Sequence, residues 1–136
     1  MVDKPTGKVK LQLNKVVYNL KGEAAKDMID ANPGDDPTKA KDLTIGSLIA
    51  NGLMIGTDED SNKQALKHFQ LSKELHNAEL KEGFLEVDDA KISQIEEAYG
   101  RIKHPMFKAA LYAGSVLEEL NRCKVEILRS KQQPLD

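Results

Sequence analysis

Three polar residues have the spacing of ligands in a calcium-binding loop. Asp58, Asp60 and Asn62 match the first, third and fifth ligand positions of an EF-hand. That loop also needs Gly at its sixth position for a sharp turn and Glu at its twelfth to bind the ion through both carboxylate oxygens. Lys63 and Phe69 occupy those two positions. The sequence therefore predicts no calcium site, and we interpret the acidic residues as the start of a helix.

The histidines and the single cysteine form no recognisable catalytic or metal-binding motif. His68 and His76 lie about 80° apart around a helix, and His104 stands alone before a proline. Cys123 has no nearby His that could act as its base. A zinc site usually needs three or four ligands at recognisable spacings. We therefore predict a non-enzymatic protein with no catalytic residue, no metal ion and no cofactor.

Composition favours one folded domain inside the cell. The chain has 136 residues, and its 40% of hydrophobic residues is too high for general disorder. A formal net charge of −2 argues against a protein that binds nucleic acid over its whole surface. One cysteine allows no internal disulfide, and no apolar run is long enough for a secretion signal or a membrane span. We expect a cytoplasmic protein that is not integral to a membrane.

The N-terminal part has the pattern of a β-strand followed by a turn. Val9, Leu11 and Leu13 alternate with polar residues, as in a strand with one buried face. Lys21-Gly22 is the preferred turn of a β-hairpin, and Asn14-Lys15 is a competing turn without a glycine. Such a two-stranded ribbon is marginal alone, so we expect it to pack against helices.

One internal segment and both ends have the composition of irregular chain. Residues 30–42 contain two Pro, one Gly and four Asp, which predicts a surface loop. Residues 1–7 and 129–136 are predicted to be flexible ends of a single domain that spans 1–136.

The remainder of the chain has helical periodicity and recognisable helix ends. Thr44 is placed to cap a helix that Gly56 ends, and a second helix is predicted over 61–78. Asp88 caps a third helix, and Pro105 begins a fourth after an almost absent loop. The predicted fold class is α+β, mainly α: an N-terminal β-hairpin packed on about four helices, the last two forming a close, antiparallel-like pair.

The last helix has more apolar residues than one core-facing stripe requires. Phe107, Leu111 and Tyr112 do not all fit its main stripe, and small residues such as Ala113 and Gly114 would allow another helix to approach closely. We predict that Phe107, Leu111 and Tyr112 form a protein-interaction surface. The partner is another protein or a second copy of the chain, which favours a homo-oligomer.

The charge distribution suggests a second, less favoured function. Residues 1–21 carry a net charge of +4 and residues 101–136 carry +3, on either side of an acidic middle. Such basic ends could contact the phosphates of a nucleic acid, as in a nucleic-acid-associated accessory protein. The candidate contacts are Arg122, Lys124, Arg129 and Lys131.

The order of these parts resembles that of small proteins encoded by tailed phages and prophages. The resemblance covers residues 8–120 and depends on the basic strand with its Gly turn, DLTIGSLIANGL at 42–53, LEVDD at 85–89 and the final apolar helix. It implies a role in virion assembly, as a factor or small structural component, or in managing the host, with a location in host cytoplasm or virion. The chain departs from the pattern in its acidic loop around 33–37 and in its tail beyond Leu120. The resemblance carries over no functional residue.

Overall fold

A computed structural model describes residues 8–26, 34, 41–55 and 62–132, with only the backbone described for residues 131 and 132. Within these residues, five helices pack around one core together with a two-stranded sheet. The elements are β1 (Val9–Gln12), α1 (Ile45–Ile55), α2 (Asn62–Lys81), β2 (Phe84–Val87), α3 (Asp89–Gly100), α4 (Pro105–Lys108) and α5 (Ala110–Gln132). The predicted α+β, mainly α class is confirmed.

The sheet joins two segments that are far apart in the sequence. β1 and β2 are antiparallel, with Val9 opposite Val87 and Gln12 opposite Phe84. The alternation that predicted β1 is present, because Val9 and Leu11 are buried while Lys10 is exposed. Helices α1 and α2 lie between the two strands in the sequence, so the strand pair closes a long loop and depends on the core for its stability.

The turn expected at Gly22 is also present, and it extends the N-terminal region beyond β1. Gly22 has φ +80°, a conformation that favours glycine, and its N–H donates to the carbonyl of Asn19. Tyr18 and Ala24 form an isolated antiparallel bridge across the turn. The chain therefore reverses at Gly22 as predicted, but through single bridges, while β2 supplies the long partner of β1.

Local capping explains where α1 and α3 begin. The hydroxyl of Thr44 accepts the N–H of Ser47 at 3.1 Å, and the carboxylate of Asp88 accepts the N–H of Lys91 at 2.8 Å. Both bonds satisfy donors that a helix N-terminus leaves without partners. Thr44 and Asp88 were identified as caps from the sequence, and both are confirmed.

The junction between the last helices differs from the predicted continuous helix. His104 caps α4 through Nδ1, which accepts the N–H of Met106 at 3.2 Å, and Pro105 occupies the first turn. Ala109 then adopts φ −59° and ψ 140°, which ends α4 after four residues. α5 starts immediately afterwards and continues to Gln132, so residues 129–132, expected to be a flexible end, form its last turn. Because of this break, the residues of α4 do not share the helical phase of α5.

Phe107 requires a correction, because it lies in the core and only 1% of it is exposed. The ring packs against Gly52 of α1, where an added Cβ would lie 3.2 Å from Phe107 and 2.6 Å from Ile102. The hydroxyl of Tyr99 donates to the carbonyl of Phe107 at 2.9 Å and fixes α4 against α3. Phe107 is therefore a packing residue and cannot meet a partner in this fold.

Of the predicted loop 30–42, only residues 34, 41 and 42 are described, and Lys26 forms a bridge with Asp42 where the chain enters α1. The predicted end at residues 1–7 and the calcium-like positions Asp58 and Asp60 lie outside the described residues.

Candidate interaction surface

α5 carries a line of exposed, mostly apolar or small residues that we call the outer stripe. At 100° per residue its six positions fall within a sector of about 80°. They are Ala110, Gly114, Leu117, Asn121, Val125 and Leu128, all exposed. The exposed fraction is 45% for Leu117 and 55% for Leu128, and Leu111, at 36%, lies beside the stripe. A run of apolar side chains along one helix with no charge within it is typical of a contact surface.

A different face of the same helix holds α5 in the fold. Val116, Leu120, Cys123 and Ile127 are completely buried and lie about 130° around the helix from the outer stripe. They repeat at spacings of three and four, as expected of a stripe that faces a core. Neither stripe contains Phe107, Leu111 or Tyr112, the residues predicted from the sequence to exceed a single core-facing stripe.

A polar cluster beside the buried stripe connects α5 to the edge of β1. Glu119 is 1% exposed, and its carboxylate accepts the N–H of Gln12 at 2.8 Å. Arg122 donates to Glu119 through Nε at 2.9 Å and through its terminal nitrogen at 2.7 Å, and the same nitrogen donates to the carbonyl of Lys10. Lys15 approaches the carboxylate to 3.5 Å. α5 therefore supplies the hydrogen bonds that the second edge of β1 would otherwise lack.

The electrostatics of the cluster keep Glu119 ionised. Burial by itself raises the pKa of Glu119, but the hydrogen bonds from Arg122 and Gln12 and the charges of Arg122 and Lys15 outweigh it, so the pKa lies below its usual value. The pKa of Arg122 is raised, chiefly by the same hydrogen bond. Every strong donor in the cluster faces a carboxylate or a carbonyl, so the cluster is suited to hold α5 rather than to bind a ligand.

Cys123 lies beside this cluster but has the properties of a core residue. It is completely buried, and burial raises the pKa of its thiol to about 11. A thiol with such a pKa is almost entirely protonated at neutral pH and is a poor nucleophile. The structure therefore brings no activated nucleophile to this face of α5.

The structure places the candidate nucleic-acid contacts in two different situations. Arg122 is held by Glu119 and Glu126, and Lys124 forms an ion pair with Glu96 at 2.6 Å. A phosphate would have to compete with these carboxylates for both cations. Arg129 is exposed, and the side chain of Lys131 lies outside the described residues. Of the three side chains that the structure describes, two are therefore already paired with carboxylates.

The predicted interaction residues are likewise separated. Phe107 is in the core, Tyr112 is half-buried and packs against the core, and Leu111 is exposed beside the outer stripe. Of the three predicted residues, only Leu111 is therefore exposed. The residues of the outer stripe were not predicted, and the signal for them was a second set of apolar residues at helical spacing, Leu117, Val125 and Leu128.

Two open grooves were considered as alternative sites. One of about 650 Å³ lies between α1 and α2, and its polar residues bond one another: Thr44 donates to Glu79 at 2.7 Å and Ser72 donates to the carbonyl of Ala50 at 2.6 Å. The other, of about 340 Å³, lies between α2 and α3 near His68. The Thr44 hydroxyl also accepts the N–H of Ser47, so its pairing with Glu79 belongs to the cap of α1.

No group of three or more metal-ligating side chains occurs in the part of the chain that the structure describes. None of the described helices is long and apolar enough to span a membrane.

Comparison with known proteins adds no family to this geometry. The sequence matches no protein-family model, and neither the curated proteins nor the solved structures contain a match to it.

Proposed function

We propose that the protein is a non-enzymatic protein-interaction module that binds through the outer stripe of α5. The observation that supports this is the exposure of Leu117, Val125 and Leu128 on a long helix whose other face is anchored in the core. Covering three such side chains would contribute about 1.5–3 kcal/mol for each one that becomes fully buried, less the part already buried. A rigid helix also loses little conformational entropy when it binds.

The resemblance to small proteins of tailed phages and prophages suggests the setting of this interaction. In that setting the module is a virion assembly factor or a small structural component, and it acts in the host cytoplasm or in the virion. The buried Glu119–Arg122 cluster supports the proposal, because it fixes α5 against β1 and so presents the outer stripe in one orientation.

Binding of nucleic acid through the basic ends receives less support. Arg122 and Lys124 are engaged by carboxylates, as described above. A retardation assay at low salt, with duplex and single-stranded DNA, checks this alternative, and retention that weakens steeply with added salt would favour it over the proposed function.

The test of the proposed function uses the full chain as bait in host cells, with covalent cross-linking and identification by mass spectrometry. The variant Leu117→Asp/Leu128→Asp places two charges on the outer stripe. The matched control, Leu66→Asp/Leu80→Asp, changes two leucines of α2 that are 54% and 71% exposed. Because all four leucines are exposed, both variants should stay folded, which circular dichroism checks.

We expect the same identified protein, or the chain itself, to be captured by the wild type and the control and lost from the outer-stripe variant. Binding measured afterwards between the two purified proteins should show the same difference. If nothing is captured differentially, or if the purified pair binds the outer-stripe variant normally, the proposed function is wrong.

A further inference from the structure

Five of the six positions of the outer stripe are symmetric along α5. The spacings of these five, from Gly114 to Leu128, are three, four, four and three residues, and they are centred on Asn121. Gly114 and Leu128 are equidistant from Asn121, as are Leu117 and Val125. A two-fold axis that relates two antiparallel helices pairs each position with its mirror position along the partner, which is the pattern of a self-complementary interface.

We propose that the outer stripe binds a second copy of the chain, with the two α5 helices antiparallel and Asn121 on the two-fold axis. This inference depends on the proposed function and names the partner of that same surface. Asn121 then faces Asn121 of the second copy, and Leu117 faces Val125 of the second copy.

The sizes of the paired residues are complementary. Leu128 of one copy faces Gly114 of the other, so a large side chain meets a position with none. A Cβ added at Gly114 would meet no atom of the described residues beyond its own helix within 4 Å, which leaves space above this position for a side chain from outside. The two Asn121 amides can each donate to and accept from the other, so the one polar pair in the centre can be satisfied.

Charge also favours the antiparallel arrangement. One flank of the stripe, about 60–100° from its centre, carries Glu118 in the first half of α5 and Arg122 and Arg129 in the second half. In an antiparallel pair, this flank of one α5 lies beside the same flank of the other α5, which runs in the opposite direction. Glu118 therefore lies against the second half of the other helix, which carries Arg122 and Arg129. In a parallel two-fold pair opposite flanks meet instead, so Glu118 would not lie beside Arg122 and Arg129 of the second copy.

The size of the surface sets the strength of the association. A helix of 23 residues is about 35 Å long. With a width of about 10 Å, two such helices bury roughly 700 Å² in footprint, below the roughly 1,200 Å² at which stable interfaces begin. The dimer is therefore weak, with a dissociation constant in the micromolar range, and it forms in a concentration-dependent way.

The experiment is sedimentation equilibrium on the purified chain between roughly 5 and 500 µM, a range that spans micromolar dissociation constants. The average mass of the wild type should rise from the 15.1 kDa of one chain toward twice that value. Gly114→Leu should weaken association about tenfold or more, because two leucines then compete for one space. The matched control is Gly100→Leu at the end of α3, where an added Cβ also meets nothing within 4 Å, and it should associate like the wild type.

The register is tested by compensation and by cross-linking. Gly114→Leu combined with Leu128→Ala restores one large and one small residue to each pair, so the double variant should recover most of the lost affinity. Asn121→Cys should form a disulfide-linked dimer, since facing Cα atoms of helices 8–10 Å apart approach to within about 6 Å. Gly114→Cys, whose two copies would be separated by about 21 Å along the helices, should not.

A wild type that stays monomeric over the whole range overturns the inference, as does a Gly114→Leu variant that behaves like Gly100→Leu, a double variant that recovers nothing, or an Asn121→Cys variant that does not cross-link. None of these results decides the proposed function, because capture of a different protein through the outer stripe is measured separately.

Discussion

The two stripes of α5 both contain apolar side chains but differ in burial. Val116, Leu120 and Ile127 are completely buried, whereas Leu117 and Leu128, their immediate neighbours in the sequence, are about half exposed. The inner stripe, which consists of Val116, Leu120, Cys123 and Ile127, is accompanied by a polar cluster that joins the helix to β1. The outer stripe has no hydrogen-bonded attachment of that kind among its described side chains. The difference teaches that hydrophobicity alone does not distinguish the buried face of this helix from its exposed face, and that polar anchoring accompanies the buried one.

The largest expected effect comes from shortening one leucine on each stripe and comparing the two losses of stability. Leu120→Ala removes a completely buried side chain and leaves a cavity, so the free energy of unfolding should fall by about 2–5 kcal/mol. Leu117→Ala makes the same chemical change less than one turn away at a half-exposed position, and it should change stability by no more than about 0.5 kcal/mol.

Urea denaturation at low protein concentration measures both values, because dilution removes any contribution from association. Equal losses in the two variants would mean that the outer stripe belongs to the core after all.

A second pair of variants tests the polar cluster around Glu119, which accompanies the inner stripe. Glu119→Gln removes the charged partner of Lys15 and one of the two carboxylates that hold Arg122, at a position that is 1% exposed, so we expect a loss of about 2–3 kcal/mol. Glu118→Gln, the adjacent and exposed carboxylate, is the control and should be close to neutral.

The same pair of variants tests the pH dependence of stability. The pKa of Glu119 is lowered in the folded protein, so its stabilising contribution is present above its ordinary value of 4.5 and is lost as the pH falls through the lower folded value. Unfolding free energies measured from pH 7 to acid should therefore fall less steeply in Glu119→Gln than in the wild type or in Glu118→Gln. A parallel fall in all three proteins would contradict the role of Glu119.

The ends of the helices could be predicted from the sequence because their causes are local. The side chains of Thr44 and Asp88 cap α1 and α3 by accepting the N–H of the residue three positions later in the sequence. Both residues are recognisable as caps by their type and position. β1 was predicted for the same reason, from the alternation of its residues. Its pairing with β2 was not, since the register depends on how α1 and α2 fold between the two strands.

The candidate surface was only partly predictable, for a reason that lies in the backbone. Counting helical positions from Pro105 assumes one continuous helix, and the break at Ala109 shifts the phase between α4 and α5. Phe107 consequently enters the core beside Gly52, although its spacing placed it outside the main stripe. The sequence contained Leu117, Val125 and Leu128 at helical spacing, but nothing local distinguished them from core residues.

The smallest expected effect comes from adding one methyl group to the outer stripe of α5. Gly114→Ala should stabilise the single chain by about 0.5–1 kcal/mol, because alanine loses less conformational entropy in a helix and its Cβ meets nothing within 4 Å. Gly52→Ala is the contrasting variant in α1, where the same methyl group would lie 2.6 Å from Ile102 and 3.2 Å from Phe107, so it should destabilise the fold. Thermal denaturation in dilute solution should move the two melting temperatures in opposite directions. A loss of stability in Gly114→Ala would show that another part of the chain already covers the outer stripe at this position, which would remove the space that the second copy needs.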